Sequence, residues 1–152
     1  MANTYYQCYA HLIFAVKNRK CLIHESNREN IQKFICGIFN KDKCKVLSIY
    51  CNPDHTHILT GFRPSLSISD LVRDIKSVSS KLINEQKIMR FHFNWQDGYG
   101  AFTYSHSKIT SVINYINKQP EHHKKQTFIE EYLYFLDKFE IDYDKNYLFD
   151  PV

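Results

Sequence analysis

Two short apolar runs, CKVLSIYC at 44–51 and HTHILTGF at 55–62, are separated only by Asn52, Pro53 and Asp54. Proline fixes its own φ, and Asn and Asp side chains bond to nearby backbone, so this triplet is a turn and the two runs form an antiparallel hairpin. Helical spacing stands on either side. Ile31, Phe34, Ile35, Ile38 and Phe39 recur at three and four residues before the hairpin, and Leu71, Val72, Ile75, Val78 and Leu82 do so after it. Outside those helices lie two stretches rich in aromatic and β-branched residues. TYYQCYAHLIFAVKNR at 4–19 reads as a first strand, and FHFNWQDGYGAFTYS at 91–105 reads as a strand broken by a turn at Asp97-Gly98. The resulting order, β-α-β-β-α-β, predicts an α+β, ferredoxin-like fold whose two helices cover one face of an antiparallel sheet.

Two further helices follow. SKITSVINYINKQ at 107–119 is expected to end at Pro120. TFIEEYLYFLDKF at 127–139 opens on a capping box, Thr127 with Glu130, and carries Phe128, Tyr132, Phe135, Leu136 and Phe139 on one stripe. At 152 residues, with four glycines, four prolines and no repeat or linker, the chain reads as one domain over 1–152, with an acidic helix and tail at 126–152. A domain of this length buries roughly 70% of its unfolded surface, enough for a core without staples. The five cysteines, Cys8, Cys21, Cys36, Cys44 and Cys51, form no CxxC pair, and no secretory signal opens the chain. The expectation is reduced thiols in a cytoplasmic protein, and no segment reaches the ~20 apolar residues that span a bilayer.

Charge is uneven. Residues 1–125 hold 18 Lys and Arg against 9 Asp and Glu, whereas 126–152 hold 2 against 7. A basic body suits a polyanionic partner, with ordinary solvated charge as the other reading.

The hairpin also carries the first chemical signal. His55 and His57 project from one face of their strand, roughly 6–7 Å apart along it, and two neutral imidazoles so placed can share a metal ion. An H-x-H pair alone is more often core or surface than ligand. In the third helix Tyr115 and Gln119 are spaced i, i+4, at the border of an apolar stripe of Ile109, Val112, Ile113 and Ile116. That spacing predicts both at the rim of the sheet. Gln119 brings a carbonyl oxygen and Tyr115 a nucleophilic one. In a chain with eleven tyrosines, packing alone would also account for Tyr115.

NPDHTHIL and VINYINKQPEHH together, in the order set by HLIFAVKNR, LVRDIKS and WQDGYGAF, resemble the single-tyrosine HUH transposases of bacterial insertion sequences, including their relatives associated with repetitive palindromic elements. The resemblance covers most of the chain. It implies His55 and His57 as a metal-binding pair with Gln119 as third ligand, an Mg²⁺ or Mn²⁺ ion, and Tyr115 as the nucleophile. It further implies cleavage and rejoining of single-stranded DNA next to hairpins through a 5′-phosphotyrosine link, with a free 3′ hydroxyl and no nucleotide cofactor. A homodimer is implied as well, in which the tyrosine helix acts within its own chain or completes the partner's site. One position departs from the family: the residue between the histidines is usually a bulky apolar one and here is Thr56, whose β-branch still suits a strand.

For DNA contacts the candidates are Lys17, Arg19 and Lys20 after the first strand, and Arg73 and Lys76 on the outer side of the second helix. The run His122, His123, Lys124, Lys125 reads as a solvated connection rather than a further metal site. The main alternative is a non-catalytic or domesticated hairpin DNA- or RNA-binding protein on the same fold. Leu59 stands where a histidine-triad hydrolase needs a further histidine. A structural zinc site lacks an evident fourth ligand beyond Cys51 and the histidines.

Overall fold

The computed structural model describes residues 3–148. Its elements are β1 (Tyr9–Ala15), α1 (Glu25–Lys41), β2 (Lys45–Cys51), β3 (His55–Gly61), α2 (Ile68–Glu85), β4 (Gly100–Thr103), α3 (Ile109–Asn117), α4 (Gln119–His122) and α5 (Phe128–Lys138). The strands form one sheet in the order β2-β3-β1-β4, every neighbour antiparallel. This is the expected ferredoxin-like arrangement.

Side-chain alternation divides the sheet into two faces. Leu12, Phe14, Val16 and Ile58 point to one side and pack with Ile31, Ile35 and Phe39 of α1 and Leu71, Val72, Ile75 and Ile83 of α2. Each such fully buried aliphatic or aromatic side chain contributes about 1.5–3 kcal/mol relative to exposure. The opposite face holds two smaller clusters. Leu59 meets Ile109, Val112 and Ile116 of α3, while Ile13, Ala15 and Phe102 meet Phe128, Tyr132, Phe135 and Leu136 of α5. The C-terminal helices thus form a third layer, and the sheet is buried on both sides.

Three local readings shift. The first strand is shorter than 4–19 and gives way after Val16 to a 3₁₀ turn, Lys17–Arg19, with Asn18 and Arg19 at φ of 58° and 52°. In α2 the buried stripe is Leu71, Val72, Ile75, Ser79 and Ile83, and Val78 is 40% exposed. The helix is rotated because Ser79, not Val78, faces the core: its Oγ accepts the indole N–H of Trp95 at 2.9 Å and donates to the Ile75 carbonyl at 2.5 Å. Finally, α3 stops at Asn117, ahead of Pro120 as read, but a second short helix, α4, begins across the proline. Pro120 sits in the first turn of α4, where a missing N–H removes no intrahelical bond. The Thr127–Glu130 capping box forms as read, both bonds present.

Candidate metal and nucleophile site

β3 places His55, His57 and Leu59 on the face that α3, α4 and α5 cover. Ile13 of β1 stands opposite His57 and Leu59 opposite His11, so His11 reaches His57 on the diagonal. All three histidines are buried.

Around the pair, further polar groups converge. Nδ1 of His55 lies 2.6 Å from Asp54 Oδ1, and Nδ1 of His57 lies 2.8 Å from His11 Nε2. Their Nε2 atoms face inward to Glu131 of α5, 3.3 Å and 2.8 Å from its Oε1. His123, just beyond α4, brings its own Nε2 to 3.2 Å from the same oxygen and 3.1 Å from His55 Nε2. The second oxygen of Glu131 accepts the Tyr115 hydroxyl and, at 3.0 Å, the Gln119 amide N–H. Gln119 Oε1 accepts from Asn52 Nδ2 at 2.9 Å. One carboxylate therefore faces the imidazoles with one oxygen and the tyrosine with the other.

The electrostatics follow from burial and pairing. Burial pushes His55 down, but its bonds to Asp54 and Glu131 outweigh that and hold it above its usual value. Burial takes His57 to about 4 against the pull of Glu131, leaving a neutral ring. For Glu131, burial alone would raise the carboxyl, yet His57 and the hydrogen bonds from His123, His55 and His57 hold it far below the carboxylate range. Tyr115 is pushed well above a normal phenol by burial and by the charge of Glu131. At rest the phenol keeps its proton and the carboxylate is ionised.

His55, His57, His123 and Glu131 each offer one ligand atom, all within 4.8 Å of one another, so the cluster can hold a metal ion. The structure thus brings His55, His57, Gln119 and Tyr115 together inside a single chain. It also corrects two readings. Gln119 is not at the rim but fully buried. His123 is not part of a solvated connection but lies in the cluster, while His122 stacks on the Tyr115 ring at 4.4 Å and Lys124 and Lys125 stay exposed. Sequence reasoning missed Glu131, His11 and Asn52. The available signal for Glu131 was a carboxylate between Phe128 and Phe135 on the apolar face of α5. For His123 it was the i, i+4 step from Gln119 across a proline that the helical path tolerates.

Two openings reach the site. A groove of about 490 Å³ exposes Tyr115 among His11, Tyr104, Lys108, Tyr134 and Lys138. On the other side a pocket of about 620 Å³ exposes the His123 edge beside Arg19, Lys124 and Lys125. The five basic residues expected at DNA are split: Arg19 lines a pocket with Asp54 and His123, Lys20 is exposed, Lys17 lies with Trp95, Gln96 and Asp97, and Arg73 and Lys76 lie on α2 along a groove with Trp95 and Tyr99. Arg73 pairs with Asp70 at 3.1 Å.

Lys76 is less free than its helical position suggested. Its Nζ donates to the Gln96 and Gly98 carbonyls at 2.7 and 2.5 Å, and burial lowers its pKa to about 8, with Asp97 opposing. An unfolded lysine keeps its proton to about pH 10.4, so between about pH 8 and that value the unfolded chain binds more protons than the fold and stability rises with pH. Thermal melts of wild type and Lys76→Met are expected to show the wild-type Tm gaining on the variant across this window. Parallel curves would mean that the ammonium is not held away from water.

Fold and site together define a ferredoxin-like protein with a buried histidine–glutamate centre beside a tyrosine. Residues 4–119 match the family described as Transposase IS200 like. The chain is 26% identical over 129 residues to the transposase for insertion sequence element IS200 of Salmonella typhimurium strain LT2, covering 82% of this chain and 84% of that protein. With the ISDra2 transposase TnpA of Deinococcus radiodurans it shares 24% over 120 residues, 75% of this chain and 85% of the relative. Among solved structures, a candidate transposase of D. radiodurans R1 superimposes with a TM-score of 0.63 at 21% identity, over 78% of this chain and 95% of the other. A REP-associated tyrosine transposase bound to a REP hairpin gives 0.61 at 13% identity, over 81% and 73%. The chain belongs to the IS200-like transposase family, a class of DNA cleavage and transfer enzymes. The matched stretch stops at Gln119, so His123 and Glu131 lie beyond it.

Proposed function

We propose that this protein is a metal-dependent single-stranded DNA transposase and endonuclease that cuts and rejoins DNA next to hairpins through a 5′-phosphotyrosine intermediate. The observation that carries the reading is the Tyr115 hydroxyl held by a carboxylate whose other oxygen faces His55, His57 and His123. Tyr115 Oη attacks the scissile phosphorus. The bond from phosphorus to the 3′ oxygen breaks, the new bond joins phosphorus to Oη, and Oη gives up its proton as that bond forms, matching the proton that the departing 3′ oxygen takes up. The departing 3′ oxygen leaves as a hydroxyl after taking a proton. His55 and His57, with Gln119 beside them, would hold a divalent ion, Mg²⁺ or Mn²⁺, which when bound would supply Lewis-acid polarisation of the phosphate. Because the phosphotyrosine bond keeps the energy of the broken linkage, rejoining runs the same exchange backwards and needs no nucleotide.

Arg19, Lys124 and Lys125 on one side of the site and Lys108 and Lys138 on the other suit a phosphate backbone passing both openings. Lys20 follows Arg19 in the chain and extends the first group; Arg73 and Lys76, with Lys17 near the same Trp95 side, would serve a more distant part of the hairpin. Tyr104 and Tyr134 in the Tyr115 groove offer faces for unpaired bases. The proposal includes a cytoplasmic homodimer with each site built from one chain, since tyrosine and histidines meet within it. Among the described residues no helix is long and apolar enough to cross a membrane.

The test is incubation with single-stranded DNA from the flanks of the protein's own gene. A protein–DNA adduct that survives denaturation, forms with Mn²⁺ and disappears with chelator is expected. Hairpin binding with no adduct under any divalent ion would instead make the protein a non-catalytic hairpin binder.

A further inference from the structure

We propose that the groove beside Tyr115 is a pocket for one unpaired base of the DNA strand and that Nδ1 of His11 reads the edge of that base, as a hydrogen-bond acceptor before an ion binds at His57 and as a donor afterwards. The proposal rests on single-stranded DNA as the substrate; it adds which residue senses the base, and how.

One unused polar atom points to it. His11 of β1 lines the groove of about 490 Å³ together with Tyr104, Lys108, Tyr115, Tyr134 and Lys138. Its side chain is fully buried and bonded on one side alone. Nε2 lies 2.8 Å from His57 Nδ1, whereas Nδ1 has no hydrogen-bond partner among the described residues. A buried polar atom without a partner costs stability, and native folds rarely keep one without a use.

The rest of the groove suits a nucleotide. Tyr104, Tyr134 and Phe139 surround the ammonium of Lys138, whose Nζ stands 6.0, 6.0 and 5.8 Å from their ring centroids. Bases stack on such rings with little regard to their identity, and the exposed Lys108 and Lys138 suit the phosphates on either side. No carboxylate is among the described residues that line the groove. Stacking therefore supplies affinity, and discrimination falls to His11, whose ring lies 6.3 Å from that of Tyr104 and 6.5 Å from that of Tyr115.

The hydrogen bonds behind His11 decide what Nδ1 offers. Burial holds His11 well below an ordinary imidazole, so the ring is neutral with a single N–H. With His57 Nε2 turned to Glu131 Oε1 at 2.8 Å, the His57 proton lies between them. His57 Nδ1 then accepts from His11 Nε2, and His11 Nδ1 is left as an acceptor. An ion on His57 Nε2 takes that lone pair, so the His57 proton stands on Nδ1 and is donated to His11 Nε2. The single N–H of His11 is then at Nδ1. Each ring keeps one proton throughout; only its place changes. Along one edge of uracil and cytosine, donors and acceptors are interchanged, a carbonyl in the first facing an amino group in the second. Ion loading therefore inverts which of the two fits.

The experiment measures binding of the full chain to oligo(dU) and oligo(dC) of about six nucleotides by fluorescence anisotropy, once with Mg²⁺ and once with chelator. The two probes match in size and charge, so the ratio of their affinities isolates the base edge. That ratio is expected to depart from one by about 2- to 10-fold and to reverse its direction between the two conditions. His11→Phe brings it to one in both. Tyr134→Ala, at an exposed ring, weakens both probes alike by at least about 5-fold and keeps the reversal. A wild-type ratio that is the same with and without Mg²⁺ overturns the proposal without any variant, which also covers a His11 variant that does not fold. So does a wild-type ratio in His11→Phe, unweakened binding in Tyr134→Ala, or failure of both probes to bind. A covalent adduct with an unchanging ratio strikes this proposal and leaves the function standing, and a reversing ratio with no adduct does the opposite.

Discussion

Tyr115→Phe is expected to yield a folded protein that still binds hairpin-bearing single-stranded DNA and forms no covalent adduct with it. The substitution removes one oxygen. That oxygen donates to Glu131 Oε2, which keeps its bond from the Gln119 amide at 3.0 Å, so the carboxylate is not orphaned. The cost to stability is the net value of one hydrogen bond, about 0.5–1.5 kcal/mol, or a Tm lower by about 1–6 °C at this chain length. Cleavage should instead fall by on the order of 10³-fold or more, because a covalent mechanism loses its nucleophile while the groups that bind phosphate stay in place. Denaturing gels for the adduct, filter binding for affinity and melts for stability separate the three effects. An adduct at wild-type level would move the nucleophile to another residue of the same groove, with Tyr104 and Tyr134 the first to map by mass spectrometry.

The fold was legible because its signals are local. Period-two strands, three- and four-residue helical spacing and an Asn-Pro-Asp turn each act over fewer than about ten residues, and their order leaves little choice of topology. Half of the site was legible for the same reason: strand parity puts His55 with His57, and an i, i+4 step joins Tyr115 to Gln119. The other half depends on what the third layer brings across the sheet. Glu131 occupies an apolar stripe position, where sequence offers only an anomaly; its meaning appears when α5 lies over β3 and the anomaly meets three imidazoles. His123 was obscured because the sequence shows where α3 stops but not the short α4 that starts across the proline and carries the chain back to the site. The rotation of α2 has a similar origin, since nothing local tells Ser79 that an indole awaits it.

Glu131→Ala, measured with chelator present, is expected to be the most destabilising single change in the site. The side chain is fully buried, and both oxygens are engaged: one by the imidazoles, the other by the Tyr115 hydroxyl and the Gln119 amide. Truncation leaves the buried imidazoles of His55 and His57 and the buried Gln119 amide facing a void. Removing one member of a buried, hydrogen-bonded charge cluster typically costs about 3–5 kcal/mol. At this chain length that lowers Tm by about 6–20 °C. Glu131→Gln preserves shape and part of the bonding, and should lose about 1–3 kcal/mol. The pH dependence fixes the cause. The folded carboxyl is held far below its unfolded value near 4.3, so the stability it contributes is fully present above about pH 5 and fades as pH drops below that, where the unfolded chain takes up a proton the fold refuses. The gap between wild type and Glu131→Gln should therefore narrow steadily from about pH 5 towards pH 3; above pH 5 it also follows His55, whose raised value rests partly on Glu131, and widens as pH falls from about 8 through the folded His55 titration. An alanine variant melting within about 2 °C of wild type would mean that the imidazoles, the phenol and the glutamine do not depend on this carboxylate for their positions. The link it makes between the ion site and the nucleophile would then be lost.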